Sequence, residues 1–233
     1  MLIAIDTSSG TSVAVVDRDR GILSEFTEPD TRRHAEVIGI LIEKSLERAG
    51  VTVAELSGVA VGMGPGPFTG LRVGIAAARA FAFGAGKPVV PVVSHDAIAL
   101  HQFALATVSR RAAAGEPATP ESDLVVAPSL IQPLLIVTDA RRREVYWSTY
   151  TGTDEAGLPV RTGGPGLLKP EELDTGVPDV AEYRRLDTDT VSAASIGLLA
   201  ERLFVHKRPF AGTDALYLRS PDATVSTGPK RVS

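Results

Sequence analysis

The sequence contains no cysteine. Disulfide scaffolds, thiolate zinc sites and a cysteine nucleophile are therefore excluded, and the absence fits a reducing cytoplasm. A basic excess is missing too. The chain has 24 Lys+Arg against 28 Asp+Glu, a net charge of −4, which argues against a dedicated nucleic-acid binder. No run approaches the ~20 apolar residues of a membrane span. The opening MLIAIDTSSG lacks a basic segment, and Asp6 interrupts its apolar run. That describes a buried first strand rather than a signal peptide. A cytoplasmic protein without membrane attachment is expected. None of the histidines His34, His95, His101 and His206 forms an i,i+4 pair or an H-E-x-x-H motif, so isolated structural or surface roles are expected.

What is present describes an ordinary globular chain: 44% of residues are apolar and 22% charged, with 22 Gly and 16 Pro for tight turns. The 233 residues allow one large domain or two small ones. LIAID (2–6), TSVAVVD (11–17) and GILSEF (21–26) read as an antiparallel meander. A helix is predicted from Arg33 to Ala49, with Val37, Ile38, Leu41, Ile42 and Leu46 at helical spacing and Gly50 as C-cap. GVAVGMG (58–64) reads as a buried central strand, GPGPFTG (64–70) as a turn, residues 71–84 as a helix and PVVPVVS (88–94) as another strand. The order βββ-α-β-α-β is that of ribonuclease-H-like folds, the unit duplicated in actin-like and sugar-kinase-like ATPases. The expected class is thus α/β with two lobes, the second reduced: 1–103, then 104–233. A helix starts near His95 or Asp96 and fades after Arg111. Residues 113–130, within an Ala/Pro-rich stretch at 106–132, are expected to be a loop. PLLIVTDARRREVYWSTYT (133–151) reads as a second hairpin, a shortened echo of the first. A helix at 192–206, a last strand at 215–221 and a loose polar tail of twelve residues complete the chain.

A ribonuclease-H-type nuclease needs converging carboxylates on metal ions, and the central strand GVAVGMG offers no acid beside Asp6. An actin-like ATPase needs two hydroxyl- and glycine-rich turns. Asp6, Thr7, Ser8 and Ser9, followed by Gly10, qualify as the first, with weak ATP or ADP binding and a plain hydrogen-bonded turn as alternatives. The second, Asp139-Ala140-Arg141-Arg142, has no glycine and carries bulky arginines, so half of the clamp is missing. In the glycine-rich loop, Gly64, Gly66 and Gly70 permit a sharp reversal, Thr69 is expected to cap the next helix and Arg72 to face outward toward an anion or carboxylate. The loop lacks the P-loop ending, and its prolines remove N–H donors. The helix after it is nearly free of polar side chains over 73–84. Its small residues, with the apolar face of the preceding helix, suggest a helix–helix partner interface. Ser195 lies in a near-miss nucleophile elbow inside a predicted helix and is discounted.

IDTSSGTSVAVVD, RRHAEVIGILIE, GPGPFTGLRVGIAAARA, DARRREVYWSTY and ALYLRSPDA occur here in the order found in the TsaB (YeaZ) family, which the chain resembles over most of its length. The resemblance implies an actin-like (ASKHA) fold. It also implies a part in forming N6-threonylcarbamoyladenosine at position 37 of tRNAs that read codons beginning with A. In that family the subunit is regarded as non-catalytic. It dimerises with a TsaD-type transferase subunit and works with a TsaE-type ATPase subunit, touching tRNA only through the complex. Self-association into a homodimer would use the same helices. The implied interface residues are Val37, Ile38, Leu41, Ile42, Ile75, Ala77 and Ala78. TsaD-type subunits carry a metal-binding H-x-x-x-H; here His95 is followed at the second position by Ala99, so no metal is expected. No catalytic residue and no required cofactor are expected. An old grouping with glycoproteases finds no support in these residues. The rival expectation is a nucleotide-dependent phosphotransferase or hydrolase using Asp6, Thr7 and Ser8.

Overall fold

The computed structural model describes residues 1–114 and 132–219. Positions 115–130 of the expected loop and the polar last twelve residues lie outside them. The first sheet is built from β1 (Leu2–Asp6), β2 (Thr11–Asp17), β3 (Gly21–Glu28), β4 (Gly58–Gly62) and β5 (Val89–Val92), in spatial order β3-β2-β1-β4-β5. β1–β2 and β2–β3 are antiparallel, whereas β4 runs parallel to β1 and β5 parallel to β4. This is the ribonuclease-H-like pattern that the element order implied.

Helices α1 (His34–Ala49) and α2 (Phe68–Ala85) cover one face of this sheet. Ile3, Ile5, Val13, Val15, Val59 and Val61 meet Val37, Ile38, Leu41, Leu71, Ile75 and Ala78 there in one buried cluster. α1 stops where expected, at Gly50 in the left-handed region (φ 64°), whose N–H returns to the last turn. α2 starts earlier than expected, inside the segment read as a turn. Its N-cap is Pro67, with no side-chain cap, so Thr69 does not cap the helix but sits exposed in its first turn. Proline suits a helix start because its missing N–H has no intrahelical acceptor to lose.

On the other face the strands change from β-branched residues to alanine. Ala4 pairs in register with Ala14 on one side and Ala60 on the other. Three methyl groups in a row make a shallow trough, and α5 (Ala193–Val205) lies in it. Gly197 marks the closest approach: a Cβ there would stand 2.6 Å from Val16 Cγ2 and 3.2 Å from Ala4 Cβ. Glu25 of β3 fixes the start of α5, accepting from Ser192 Oγ and the Ala194 N–H at 2.9 and 3.0 Å. A carboxylate at a helix N-terminus meets both the free amides and the positive end of the dipole.

The second sheet comprises β6 (Leu134–Asp139), β7 (Val145–Thr153), β8 (Pro159–Leu168) and β9 (Arg184–Asp187), in order β8-β7-β6-β9. β6–β7 and β7–β8 are antiparallel and β9 is parallel to β6. The order repeats β3-β2-β1-β4, so the echo noted in the sequence extends to topology. A short helix α4 (Leu173–Gly176) precedes β9. The core that joins Ala4, Ala14 and Ala60 to Leu134, Ile136 and Tyr150 is filled by α5 and by α3 (Ser94–Ala114).

Three expectations need correction or addition. Residues 215–219 form no strand; Leu216 N–H donates to Met63 O and Ala211 N–H to Pro91 O, isolated bonds without a ladder. Strands β8 and β9 were not anticipated. The first carries Gly163-Gly164-Pro165-Gly166 and the second is the charged RRLD, and neither looks like a strand by propensity. Among the described residues no helix is long and apolar enough to cross a membrane.

Because the trough admits no Cβ, Gly197→Ala should cost about 1–3 kcal/mol as α5 is pushed off β2. Urea unfolding at constant slope would show the loss as a lower midpoint; an unchanged midpoint would mean that α5 adapts freely.

Candidate functional site

The turn between β1 and β2 is closed rather than open. Asp6 is 1% exposed. Its Oδ1 accepts from the Ser8 N–H at 2.8 Å and from Ser8 Oγ at 2.6 Å, and its Oδ2 accepts from Ser94 Oγ at 2.6 Å. Ser94 in turn accepts the Gly64 N–H at 3.1 Å. A buried carboxylate is costly unless so compensated. Burial raises the Asp6 pKa above the ordinary carboxylate value, opposed by the hydrogen bonds from Ser8 and Ser94. Thr7 Oγ1 donates to Gly70 O at 2.7 Å. Ser9 is partly exposed, and its hydroxyl donates to Asp189 O at 2.6 Å, next to β9.

What closes the turn is the glycine-rich segment. Gly62, Gly66, Gly70 and Gly74 recur every fourth residue. A Cβ at Gly62 would fall 1.8 Å from Asp6 Oδ2, at Gly66 2.8 Å from Ser8 Cβ, at Gly70 2.6 Å from Thr7 O, and at Gly74 2.1 Å from Thr7 Oγ1. Every glycine of this track faces Asp6, Thr7 or Ser8, so the segment is a tight cover over the turn. The spacing in fours was present in the sequence but hidden by the extra Gly64, which suggested a phosphate-loop comparison instead. Gly64 itself has φ 95°, a conformation that suits glycine. Beneath the cover, His34 Nδ1 lies 2.8 Å from Thr11 Oγ1, and burial lowers the pKa of this imidazole.

The second turn differs. Arg141, Arg142 and Arg143 occupy consecutive left-handed conformations (φ 64°, 55° and 62°). Asp139 Oδ1 accepts the Arg141 N–H at 2.8 Å, and the Arg141 guanidinium reaches Thr31 on the first sheet's side. Arg219 contributes through the Arg141 carbonyl and an ion pair with Glu144.

His95 is fully buried. Its Nδ1 lies 2.8 Å from Ser148 Oγ and its Nε2 3.0 Å from Thr138 Oγ1, so both ring nitrogens are engaged by hydroxyls. Burial, with a smaller contribution from Arg161, lowers its pKa to about 3. Next to it, Asp96 accepts from Tyr150 at 2.7 Å and pairs with Arg161 at 3.3 Å. Among the described residues no three His, Asp or Glu side chains converge as a metal site. Ser195 lies inside the first turn of α5, its N–H bonded to Ser192 Oγ.

Five of the seven expected partner-facing residues are buried. Val37, Ile38, Leu41, Ile75 and Ala78 are all below 9% exposed, and Ile42 and Ala77 are only partly exposed. Helical periodicity selected the side that packs on the sheet. The outward side of α2 exposes Ala76, Ala80 and Phe83, Phe83 at 90%, together with the cations Arg72 and Arg79, the latter bonded to Thr213 O. Ile40 adds to it from α1, half-exposed. Arg72 is exposed, its guanidinium 4.1 Å from the centre of the Phe68 ring.

Comparison with known proteins agrees with this architecture. Residues 14–110 match the family described as TsaD, tRNA N6-adenosine threonylcarbamoyltransferase. An uncharacterized protein of Mycobacterium tuberculosis is 34% identical over 95% of this chain and 93% of its own length. The Haemophilus influenzae protein named tRNA threonylcarbamoyladenosine biosynthesis protein TsaB is 38% identical over 45% of this chain and 44% of its own. The structure of YeaZ from Pseudomonas aeruginosa superposes with a TM-score of 0.62 at 25% identity, covering 94% of this chain and 99% of that one. The chain belongs to the TsaB (YeaZ) family. The match to TsaD starts within β2 and runs through β3, α1, β4, α2 and β5 to most of α3.

The His95 environment sets a pH dependence. Between about 3 and the ordinary 6.5 the unfolded chain binds a proton that the folded chain refuses. Stability is therefore intact above pH 6.5 and falls as pH drops toward 3, by at most ~1.4 kcal/mol per pH unit. Replacing His95→Gln should flatten this part of a stability–pH profile; an unchanged slope would mean that His95 protonates in the folded state.

Proposed function

We propose that this chain is a non-catalytic, activating subunit of the machinery that forms N6-threonylcarbamoyladenosine in tRNA. It would partner a TsaD-type transferase subunit and act alongside a TsaE-type ATPase subunit. The observation that carries the non-catalytic part is the sealed Asp6 turn. An actin-like phosphate clamp needs two turns whose amides and hydroxyls face the ligand. Here the hydroxyls of Thr7 and Ser8 and the carboxylate of Asp6 are spent inward, under the glycine cover. The opposite turn presents arginine side chains instead of glycine. These residues do not fit Mg-ATP, and no cofactor is required in this account. The second sheet, with four strands to the first sheet's five, is taken as the reduced second lobe.

The partner surface follows from the exposed side of α1 and α2. Ile40, Ala76, Ala80 and Phe83 offer a low, apolar ridge on which another helix pair can pack closely. Membership of a family related to TsaD supports a partner of the same fold, presenting the matching helices in a four-helix contact. The same ridge permits a homodimer when the partner is absent. The overall negative charge supports tRNA contact through the complex rather than by this chain alone.

The test is tRNA modification in a reconstituted system containing threonylcarbamoyl-AMP, unmodified tRNA and the TsaD- and TsaE-type subunits of the same organism. Product should depend on this chain. Phe83→Glu or Ile40→Glu should weaken binding to the TsaD-type subunit by about tenfold or more, roughly 1.4 kcal/mol. Asp6→Asn should leave both binding and product formation within a few-fold. Product formation unaffected by omitting the chain would defeat the proposal, as would its loss in Asp6→Asn with partner binding intact.

A further inference from the structure

Arg72 and Arg79 both stand exposed on the outward side of α2. They are two helical turns apart, which sets them about 10.5 Å from each other along the axis. Both line one groove of about 570 Å³, with Ile75 and Ala76 on its floor and Thr213 and Tyr217 on the opposite wall. The groove holds both guanidinium groups in place. Arg72 lies 4.1 Å from the centre of the Phe68 ring, and that ring packs against Tyr217 with centroids 4.8 Å apart. Arg79 donates one N–H to Thr213 O. Among the described residues neither guanidinium meets a carboxylate, so each keeps N–H groups for an acid from outside. Asp214 is the acid that lines the groove, so one carboxylate stands against two arginines. The outward side of α1 continues this surface and is balanced, with Glu36, Glu43 and Glu47 against Arg33, Lys44 and Arg48. The positive surplus of the helix pair therefore lies on α2.

We propose that this groove selects a partner helix carrying two carboxylates seven residues apart, one for Arg72 and one for Arg79, with an apolar residue between them on Ala76. Seven residues on the partner span the same two turns, so both acids meet their arginines at once. Arginines already held by Phe68 and Thr213 lose little freedom on pairing. They set partner choice as flanking charges do between paired helices: an acidic helix is admitted and a basic one repelled. A second copy of this chain fits less well. It brings the same balanced α1 and the same surplus on α2, so two copies leave both surpluses unmet. A nucleic acid would match the charge but leave Ala76 and Phe83 uncovered, whereas an amphipathic helix covers them. This inference rests on the partner surface proposed above and adds what the partner must carry there.

The test is calorimetric binding of the full-length chain to the TsaD-type subunit of the same organism, at low and at high salt. Arg72→Glu combined with Arg79→Glu should weaken binding about twentyfold at low salt and remove most of its salt dependence. Both side chains are exposed, so the urea midpoint should stay at the wild-type value. The milder pair Arg72→Gln and Arg79→Gln should lose about fivefold, and Asp214→Asn should tighten binding about twofold. Changing two acids seven residues apart on one helix of the partner to lysine should restore binding to the Glu-bearing chain alone. Unchanged affinity in the charge-reversed chain, with Phe83→Glu still weakening it, would overturn the charge selection and leave the partner surface standing. Failure of the unaltered chain to bind the subunit would overturn both. Reversal that spares partner binding but lowers the affinity of the complex for tRNA would assign the arginines to RNA instead. Reversal that abolishes self-association while sparing the subunit would assign them to a second copy, and either result overturns the proposal.

Discussion

The close packing of the glycine track against the β1–β2 turn is the constraint on which the rest of this molecule depends. Gly62 ends β4 and Gly74 lies inside α2, so the track ties the centre of the sheet to the helix that covers it. Thr7 sits under Gly74, which fixes how α2 lies across the first sheet. Asp6 holds Ser94, which starts α3 and leads to the second sheet. One buried turn therefore sets the position of three elements. The hydrogen bonds of Asp6 offset the cost of burying a carboxylate, and the missing side chain of Gly62 leaves room for the one from Ser94.

In the function proposed above, this arrangement lets an ATPase-like scaffold keep its fold while its first turn takes no ligand. In a phosphate clamp the turn's polar groups face a cleft; here they face glycines. The same packing directs α2 so that its opposite side, with Ala76, Ala80 and Phe83 beside Arg72 and Arg79, meets solvent.

Much of the first sheet was legible because its residues speak clearly. LIAID and TSVAVVD are β-branched runs bounded by turn residues, and α1 shows helical spacing up to a glycine cap. Most of the residues expected at the partner face are buried, for the same reason that α1 was found. Apolar periodicity marks the side that meets the sheet, so Val37, Leu41 and Ile75 were selected and Ile40, Ala76 and Phe83 were not. A single helix read alone cannot separate core from interface when both are apolar. The second sheet was harder. β8 carries three glycines because Trp147 of β7 lies across it: a Cβ at Gly166 would stand 2.4 Å from the indole nitrogen. β9 is charged because it is a short edge strand. The site was half legible. Asp6, Thr7 and Ser8 were found, but Ser94, which completes the carboxylate's partners, carries no local signal and lies 88 residues away.

The most direct test of the sealed turn is equilibrium titration of the isolated chain with Mg-ATP, followed calorimetrically and by the amide shifts of residues 6–10. Sealing predicts no saturable heat at millimolar nucleotide and no shift of the Thr7, Ser8 and Gly10 amides. Saturable binding that moves those amides, and that Asp6→Asn abolishes, would contradict it and return the turn to nucleotide chemistry.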